Sequence, residues 1–501
     1  MQLNSDEVLF LQSQVKTYQD DPLIQKKRWI ILIVLNLFVF MSTLDGSIVN
    51  IALPSISKDL NLSIAQSQWI VSGYILTICS IILFFGRLGD IVGKINMFKL
   101  GCIIFIFGSL LCGFSHSLTF LLTSRIVQAI GASMTMANNQ GIITEIFPAN
   151  HRGKALGLLG TFVSLGSITG PSLGGFMVSS LGWQSIFWVN IPIGLIAIIL
   201  GWMILPKDMI KLRSKLDITG SVLFALSIIS LFTGLLLGQQ AGYTDLRIIA
   251  AFFASVILLI FFLYVESHKE DPMIKLSIFK NPLFSLSIFC GFLVFVSNFC
   301  FNIVSPFYTQ DILLLSPSHA GLVLMLFPIT MVIVAPLSGA LSDKIGSELL
   351  TFVGLLMMVV VQFGLAGLHQ ESGIWLVCVW VALLGISCGL FQSPNNSLVM
   401  STVKRTQLGI AGSINALVRN LGMVVGISAA TSILFSVMSR EARYRVTALI
   451  PHRPDIFLDG MHVVFLSSAS ICLLGALLTG WRLYHSKRSR FKQPNIHQNV
   501  K

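Results

Sequence analysis

Asp45 lies inside the uncharged stretch 29–50, and the other 20 of the chain's 21 Asp and Glu fall in tails, in loops or at the ends of apolar runs. A charge at that depth in a bilayer costs on the order of 3 kcal/mol on insertion scales, so its default reading is functional. Arg125 lies about as far from the outer end of its own apolar run as Asp45 does, and equal depth permits a direct or water-bridged pair. Burial favours the protonated carboxyl, whereas a nearby guanidinium favours the carboxylate. A conformational change that alters water access or pair distance therefore makes Asp45 take up or release a proton, which is what proton coupling requires. The competing reading is a static pair that only fixes two helices. Arg419 is also deep, has no acid near it in sequence, and suits structural anchoring or substrate contact equally.

Other chemistries are poorly supported. All nine histidines lie in loops, tails or at segment ends, which removes a mid-membrane histidine relay and a histidine-ligated haem or metal. The eight cysteines fall inside apolar segments without a CxxC pair and read as packing residues. No G-x-x-x-x-G-K-[ST] phosphate loop occurs, so ATP is not the direct energy source. No enzyme activity, cofactor or metal is expected.

These residues must be positioned by helices in lipid. Of 501 residues, 54% are apolar and 11% charged, where a soluble domain carries roughly 25% charged. Mean hydropathy is +0.83. The net charge of +12 would raise nucleic acid in a soluble protein, but cytoplasmic loops of membrane proteins collect Lys and Arg, and no nucleic-acid partner is expected. The polar first 28 residues end in Lys26, Lys27 and Arg28 ahead of a span too long for a signal-peptide core, so an uncleaved first span is expected.

Fourteen apolar runs predict an all-α integral membrane protein with 14 transmembrane helices. The first six are 29–50, 68–85, 97–115, 118–143, 153–179 and 185–205. Two more, 216–238 and 248–265, precede the last six: 284–305, 320–340, 349–368, 374–398, 408–437 and 461–481. With the N-terminus inside, 25 Lys and Arg fall on the cytoplasmic side and six outside, which places both termini in the cytoplasm. At an offset of 253 residues Gly86 matches Gly339, Asp90 matches Asp343, Gly93 matches Gly346 and Arg152 matches Arg405. Two homologous six-helix bundles joined by a two-helix insert follow, the arrangement of a secondary transporter with its site between the halves. The expected division is a tail over 1–28, bundles over 29–205 and 281–482 flanking an insert over 206–280, and a basic tail over 483–501.

Four motifs carry a family resemblance. Leu44-Asp45-Gly46-Ser47-Ile48-Val49-Asn50-Ile51-Ala52-Leu53-Pro54 is similar to the helix 1 signature of the fourteen-helix drug:proton antiporters within the major facilitator superfamily. The loop 86–94, GRLGDIVGK, resembles the superfamily's gating loop, with Ile91 where a basic residue is usual. Residues 125–132 resemble the helix 4 motif with its membrane-embedded arginine, and 166–175 the antiporter motif of helix 5. The resemblance runs from Trp29 to Trp481. It implies the major facilitator fold (6 + 2 + 6), with Asp45 and Arg125 in proton coupling, Gly86, Asp90, Gly93 and Lys94 in gating, and Gly166, Gly170, Pro171, Gly174 and Gly175 in the antiporter seam. Some members carry a second acid in helix 10 or 13; neither span has one here, which points away from efficient export of dications.

Asp90 is expected just before helix 3, where a carboxylate suits the unpaired amides, and its twin Asp343 suggests a symmetric inner latch. Pro171 and its flanking glycines favour a bend and tight helix packing. A substrate cavity is assigned to Trp69, Tyr74, Asn138, Asn298, Asn302, Gln392, Asn395 and Arg419. Helices 7 and 8, outside the repeat, are expected to be a lipid-facing pair. The combined reading is a proton-coupled antiporter, monomeric in the cell membrane, that exports amphipathic or cationic small molecules by alternating access. Export of a lipid, fatty acid or metabolite by the same fold is the alternative, and a non-transporting membrane sensor a remote one.

Overall fold

The computed structural model describes residues 17–62, 64–209, 215–444, 446 and 453–491, without the side chains of 54, 64–65, 68, 171–172, 239–241, 317–318 and 485–491. Fourteen long helices carry the chain: α1 Pro22–Asp59, α2 Ile64–Val92, α3 Lys94–Gly113, α4 Leu118–Ile146, α5 Ala149–Leu181, α6 Asn190–Ile204 and α7 Ile218–Ala241. The remainder are α8 Leu246–His268, α9 Pro282–Phe307, α10 Leu326–Ile345, α11 Ser347–Ala366, α12 Ile374–Ser401, α13 Leu408–Ala442 and α14 Pro454–Phe491. Thirteen spans are long and apolar enough to cross a membrane, α6 and α10 counting with the short turns before them. The fourteenth helix, α4, is the polar one, because it carries Arg125, Gln128, Asn138, Asn139, Gln140 and Glu145, all buried inside the protein. The chain is a multi-pass all-α membrane protein.

Several helix starts are set by local chemistry. Asp21 caps α1 beside Pro22, Ser117 caps α4, and Asn281 caps α9 beside Pro282. α1 begins earlier and α2 ends later than the apolar runs suggest, since a helix that leaves the hydrocarbon does not have to stop at its edge.

The halves repeat one packing scheme. α1 packs on α5 and α3 on α4 in the first half, with α9 on α13 and α11 on α12 in the second. The seam between them consists chiefly of α5 against α10 and α13 against α2 and α4. α7 lies across this seam, touching both α2 and α13, and α8 packs on α7 with Phe253, Ile260 and Phe261 facing outward. The insert therefore does not stand apart from both bundles. Its ends are tied together by Lys269 paired with Asp217, and by Glu266, whose carboxylate accepts from the Ile274 amide at 2.9 Å.

The closest approach within the first bundle is between α3 and α4. A Cβ on Gly131 would lie 2.3 Å from the Phe105 nitrogen and 2.6 Å from the Gly101 carbonyl oxygen. Both atoms are backbone, so neither can step aside, and overpacking of this kind costs roughly 1–3 kcal/mol or more. Gly131→Val is expected to lower the melting temperature in detergent and abolish a monodisperse peak in size-exclusion chromatography. A wild-type melting curve would show that the helices separate easily.

Candidate functional site

Asp45 and Arg125 meet. Arg125 Nη1 donates to Asp45 Oδ2 at 2.7 Å, and both side chains are buried. The other carboxylate oxygen is also filled, since Asp45 Oδ1 accepts from Gln128 Nε2 and Asn190 Nδ2, each at 2.9 Å. Gln128 and Asn190 both also donate to Ser109 Oγ, which donates in turn to the Phe187 carbonyl. Arg125 further donates to Gln128 Oε1 and, through Nε, to the Ile70 carbonyl, while its guanidinium carbon sits 4.0 Å from the centre of the Tyr74 ring. Tyr74, assigned from the sequence to the cavity, thus stacks on the arginine beside the ion pair. Gln128 lies within the helix 4 motif, where only the arginine stands out, and Asn190 and Ser109 carry no sequence signature: neutral polar residues are common in helix contacts, and Asn190 reaches Asp45 only because α6 returns beside α1.

In this arrangement Asp45 is an acceptor at both oxygens. The arginine and both amide donors hold the carboxylate in one place, so its position is set by α4 and α6 together.

The antiporter motif packs against the same stretch of α1. Cβ atoms built on Gly166 and Gly170 would meet the Phe40 carbonyl at 2.8 Å and Ser47 Oγ within bond distance, and one on Gly174 would lie 2.5 Å from Ile48. Ser47 Oγ also lies 3.2 Å from the Gly166 carbonyl, as a donor. One face of α5, spaced by four residues, is therefore applied to α1 on either side of Asp45. Gly175 faces open space, and the side chain of Pro171 lies outside the described residues.

Asp90 differs from its expected place. It sits in the last turn of α2, not ahead of α3, and caps the opposite half: Gly409 and Ile410 at the start of α13 donate to its two oxygens at 2.9 and 3.1 Å. Asp343 mirrors it, accepting from Gly153 and Lys154 in the second turn of α5 at 2.9 and 3.2 Å. Asp90 thus satisfies orphan amides at the positive dipole end of α13, and Asp343 accepts from amides near the start of α5, each reaching into the other bundle. The start of α3 is capped by Asp208, which accepts from Ile95 and Asn96. Gly93 and its twin Gly346 hold φ of 120° and 91°, which favours glycine. Lys94 bridges Asp90 and Glu145, at 2.9 Å to each. Asp343 has no equivalent, since residue 347 is Ser.

Between the ion pair and this latch, α1, α4, α5 and α13 enclose a cavity of about 30 Å³, bordered by Phe38, Ser42, Met136, Asn139, Gln140 and Arg419. Of the assigned lining, only Arg419 borders it. Asn138 donates to the Phe85 and Met134 carbonyls, Asn298 to Cys388 Sγ and Asn395 to the Ser287 carbonyl, all helix contacts. Asn302 is exposed and donates to the Asn298 carbonyl; Trp69 and Gln392 are half-buried elsewhere. Periodicity places a polar residue in a span but not on the inner side of it.

Known proteins share this architecture. The family model described as Major Facilitator Superfamily matches residues 35–272 and 287–499. A riboflavin transporter, RibZ, of Clostridioides difficile (strain 630) is 37% identical over 91% of this chain and 97% of its own. The multidrug resistance protein Stp of Mycobacterium tuberculosis (strain CDC 1551 / Oshkosh) is 28% identical over 84% of this chain and 78% of its own. Among solved structures, the proton:xylose symporter XylE bound to 6-bromo-6-deoxy-D-glucose superimposes with a TM-score of 0.62 at 15% identity, covering 90% of this chain and 94% of that one.

Proposed function

The chain belongs to the major facilitator superfamily of membrane transporters, and on that premise we propose that it is a proton-coupled antiporter exporting small amphipathic molecules. The observation that carries the reading is the buried Asp45, with both oxygens occupied, on the helix that also borders the central cavity through Phe38 and Ser42. Asp45 is three residues from Ser42, about 4.5 Å along a helix. Substrate entry that shifts α1 against α4 or α6 withdraws a donor from Asp45 and opens a site for a proton. Proton binding weakens the ion pair in return.

The charge asymmetry of the loops puts the latch end in the cytoplasm, so the closed latch corresponds to a transporter shut on that side. Alternating access is then exchange of this state for one in which Asp90 and Asp343 release the two helix ends. The protein is taken as a monomer that needs only the proton gradient, without a cofactor.

A second reading, movement of one planar metabolite and not many drugs, is favoured by the 37% relative named for riboflavin. Purified protein in vesicles with an acid interior decides between them. Substrate-dependent proton efflux with several unrelated amphipaths supports a multidrug exporter, whereas proton movement with riboflavin alone supports the metabolite reading. Uptake without any proton movement rejects antiport.

A further inference from the structure

Among the described residues, Arg419 is the only Lys or Arg bordering the central cavity, and the only charged residue there. Among the described residues it has no carboxylate within ion-pair distance and no hydrogen bond to the protein. It differs in this from Arg125, which is held by Asp45, Gln128 and a carbonyl. Across the cavity Asn139 is 3% exposed, and neither its amide nitrogen nor its amide oxygen has a partner. A buried primary amide without partners is costly, and a native structure keeps one where something else completes it. The rest of the border is mixed, with the apolar Phe38 and Met136 and the polar Ser42 and Gln140.

We propose that Arg419 and Asn139 form the polar pole of the substrate site and that the substrate is an amphipathic molecule carrying an anionic oxygen group, carboxylate, phenolate or phosphate, which Arg419 pairs. The ring or chain of the same molecule lies against Phe38 and Met136. A cationic amphipath meets like charge at the one ionic position of the cavity, so cations are the poor substrates. The inference rests on the transporter reading for its purpose but not for its test, which is binding at equilibrium and involves no proton gradient.

Fluorescein and rhodamine 123 share a xanthene ring system and differ in charge, so they separate the ionic contribution from the apolar one. Binding of each to detergent-purified protein is read by fluorescence anisotropy at constant pH and low salt. Wild-type protein is expected to bind fluorescein roughly tenfold or more tightly than rhodamine 123, the scale of one hydrogen bond to a charged group. Arg419→Gln is expected to lose that preference by weakening fluorescein alone, and Arg419→Lys to keep part of it. Asn139→Ala, which leaves every charge in place, is expected to weaken fluorescein by less.

Equal affinity of the two dyes for wild type, or an unchanged preference in Arg419→Gln, overturns the proposal. Should Arg419→Gln elute as aggregate, the wild-type preference together with the Arg419→Lys and Asn139→Ala affinities still decides it. Selective fluorescein binding without proton-coupled transport would remove the antiporter reading and leave this site standing.

Discussion

Asp45→Asn is expected to leave the protein unable to build any substrate gradient while downhill exchange continues. One charge moved across 100 mV is worth ~2.3 kcal/mol and a tenfold proton gradient adds ~1.4 kcal/mol, so on the antiporter reading the wild type is expected to sustain a gradient of a few hundredfold and the variant none. The substitution has a second consequence, because it strands Arg125 in the protein interior. Removing one partner of a buried pair destabilises by roughly 3–5 kcal/mol, whereas removing both is often neutral. The double variant Asp45→Asn/Arg125→Gln is therefore expected to melt nearer the wild type than Asp45→Asn does, and still not to concentrate substrate. Measuring melting temperature alongside uphill transport in vesicles separates the two roles. Uphill transport by the double variant at the wild-type rate would reduce the pair to a structural tie.

The second large effect is expected at the latch. Asp90 and Asp343 each accept two backbone amides from the other half, and a lost cap of this type costs roughly 0.5–2 kcal/mol. Asp90→Ala/Asp343→Ala should shift the closed-to-open equilibrium by roughly ten- to a thousandfold, at 1.4 kcal/mol per factor of ten. Spin labels on the exposed positions Asn96 and Lys404, in a background lacking the native cysteines, should report a longer distance in the variant. An unchanged distance distribution would show that the halves are held by other contacts. The single variants are expected to differ. Asp90→Ala also leaves the buried Lys94 with Glu145 alone, so its effect should exceed that of Asp343→Ala.

Much of this was legible in the sequence because lipid leaves few options. Helix number, the repeat and the level of Asp45 with Arg125 follow from apolar run length and residue numbering, and the structure has the corresponding helices and contact. Helix ends were less legible. The apolar run of α2 stops at Phe85, but the helix continues to Val92, which moved Asp90 from a presumed cap of α3 to a cap of α13. Partners supplied by distant segments were not legible at all. Gln128 and Asn190 on Asp45, and Asp208 on α3, depend on how helices lie against one another, and no spacing rule contains that information. For the same reason the polar residues of α9 and α12 were indistinguishable from cavity residues until their carbonyl and thiol partners were seen.

The seam at the latch has a mechanical consequence. Gly86 lies against the Gly409 carbonyl of α13, and Gly339 against the Gly153 carbonyl of α5, with added Cβ atoms at 2.9 and 2.2 Å. At Gly339 one main chain rests directly on another, whereas at Gly86 the Ser413 side chain of α13 lies nearer still than the Gly409 carbonyl. Interdigitated side chains must disengage before two helices can slide, and each gives up many small dispersion contacts as it does so. Backbone resting on backbone has little to disengage, so the Gly339 contact is expected to offer little resistance when the bundles move against one another. A methyl group added at Gly86 would meet Ser413 and the Gly409 carbonyl, and one at Gly339 the Gly153 carbonyl, so either is expected to slow exchange even where the aspartate latch is intact.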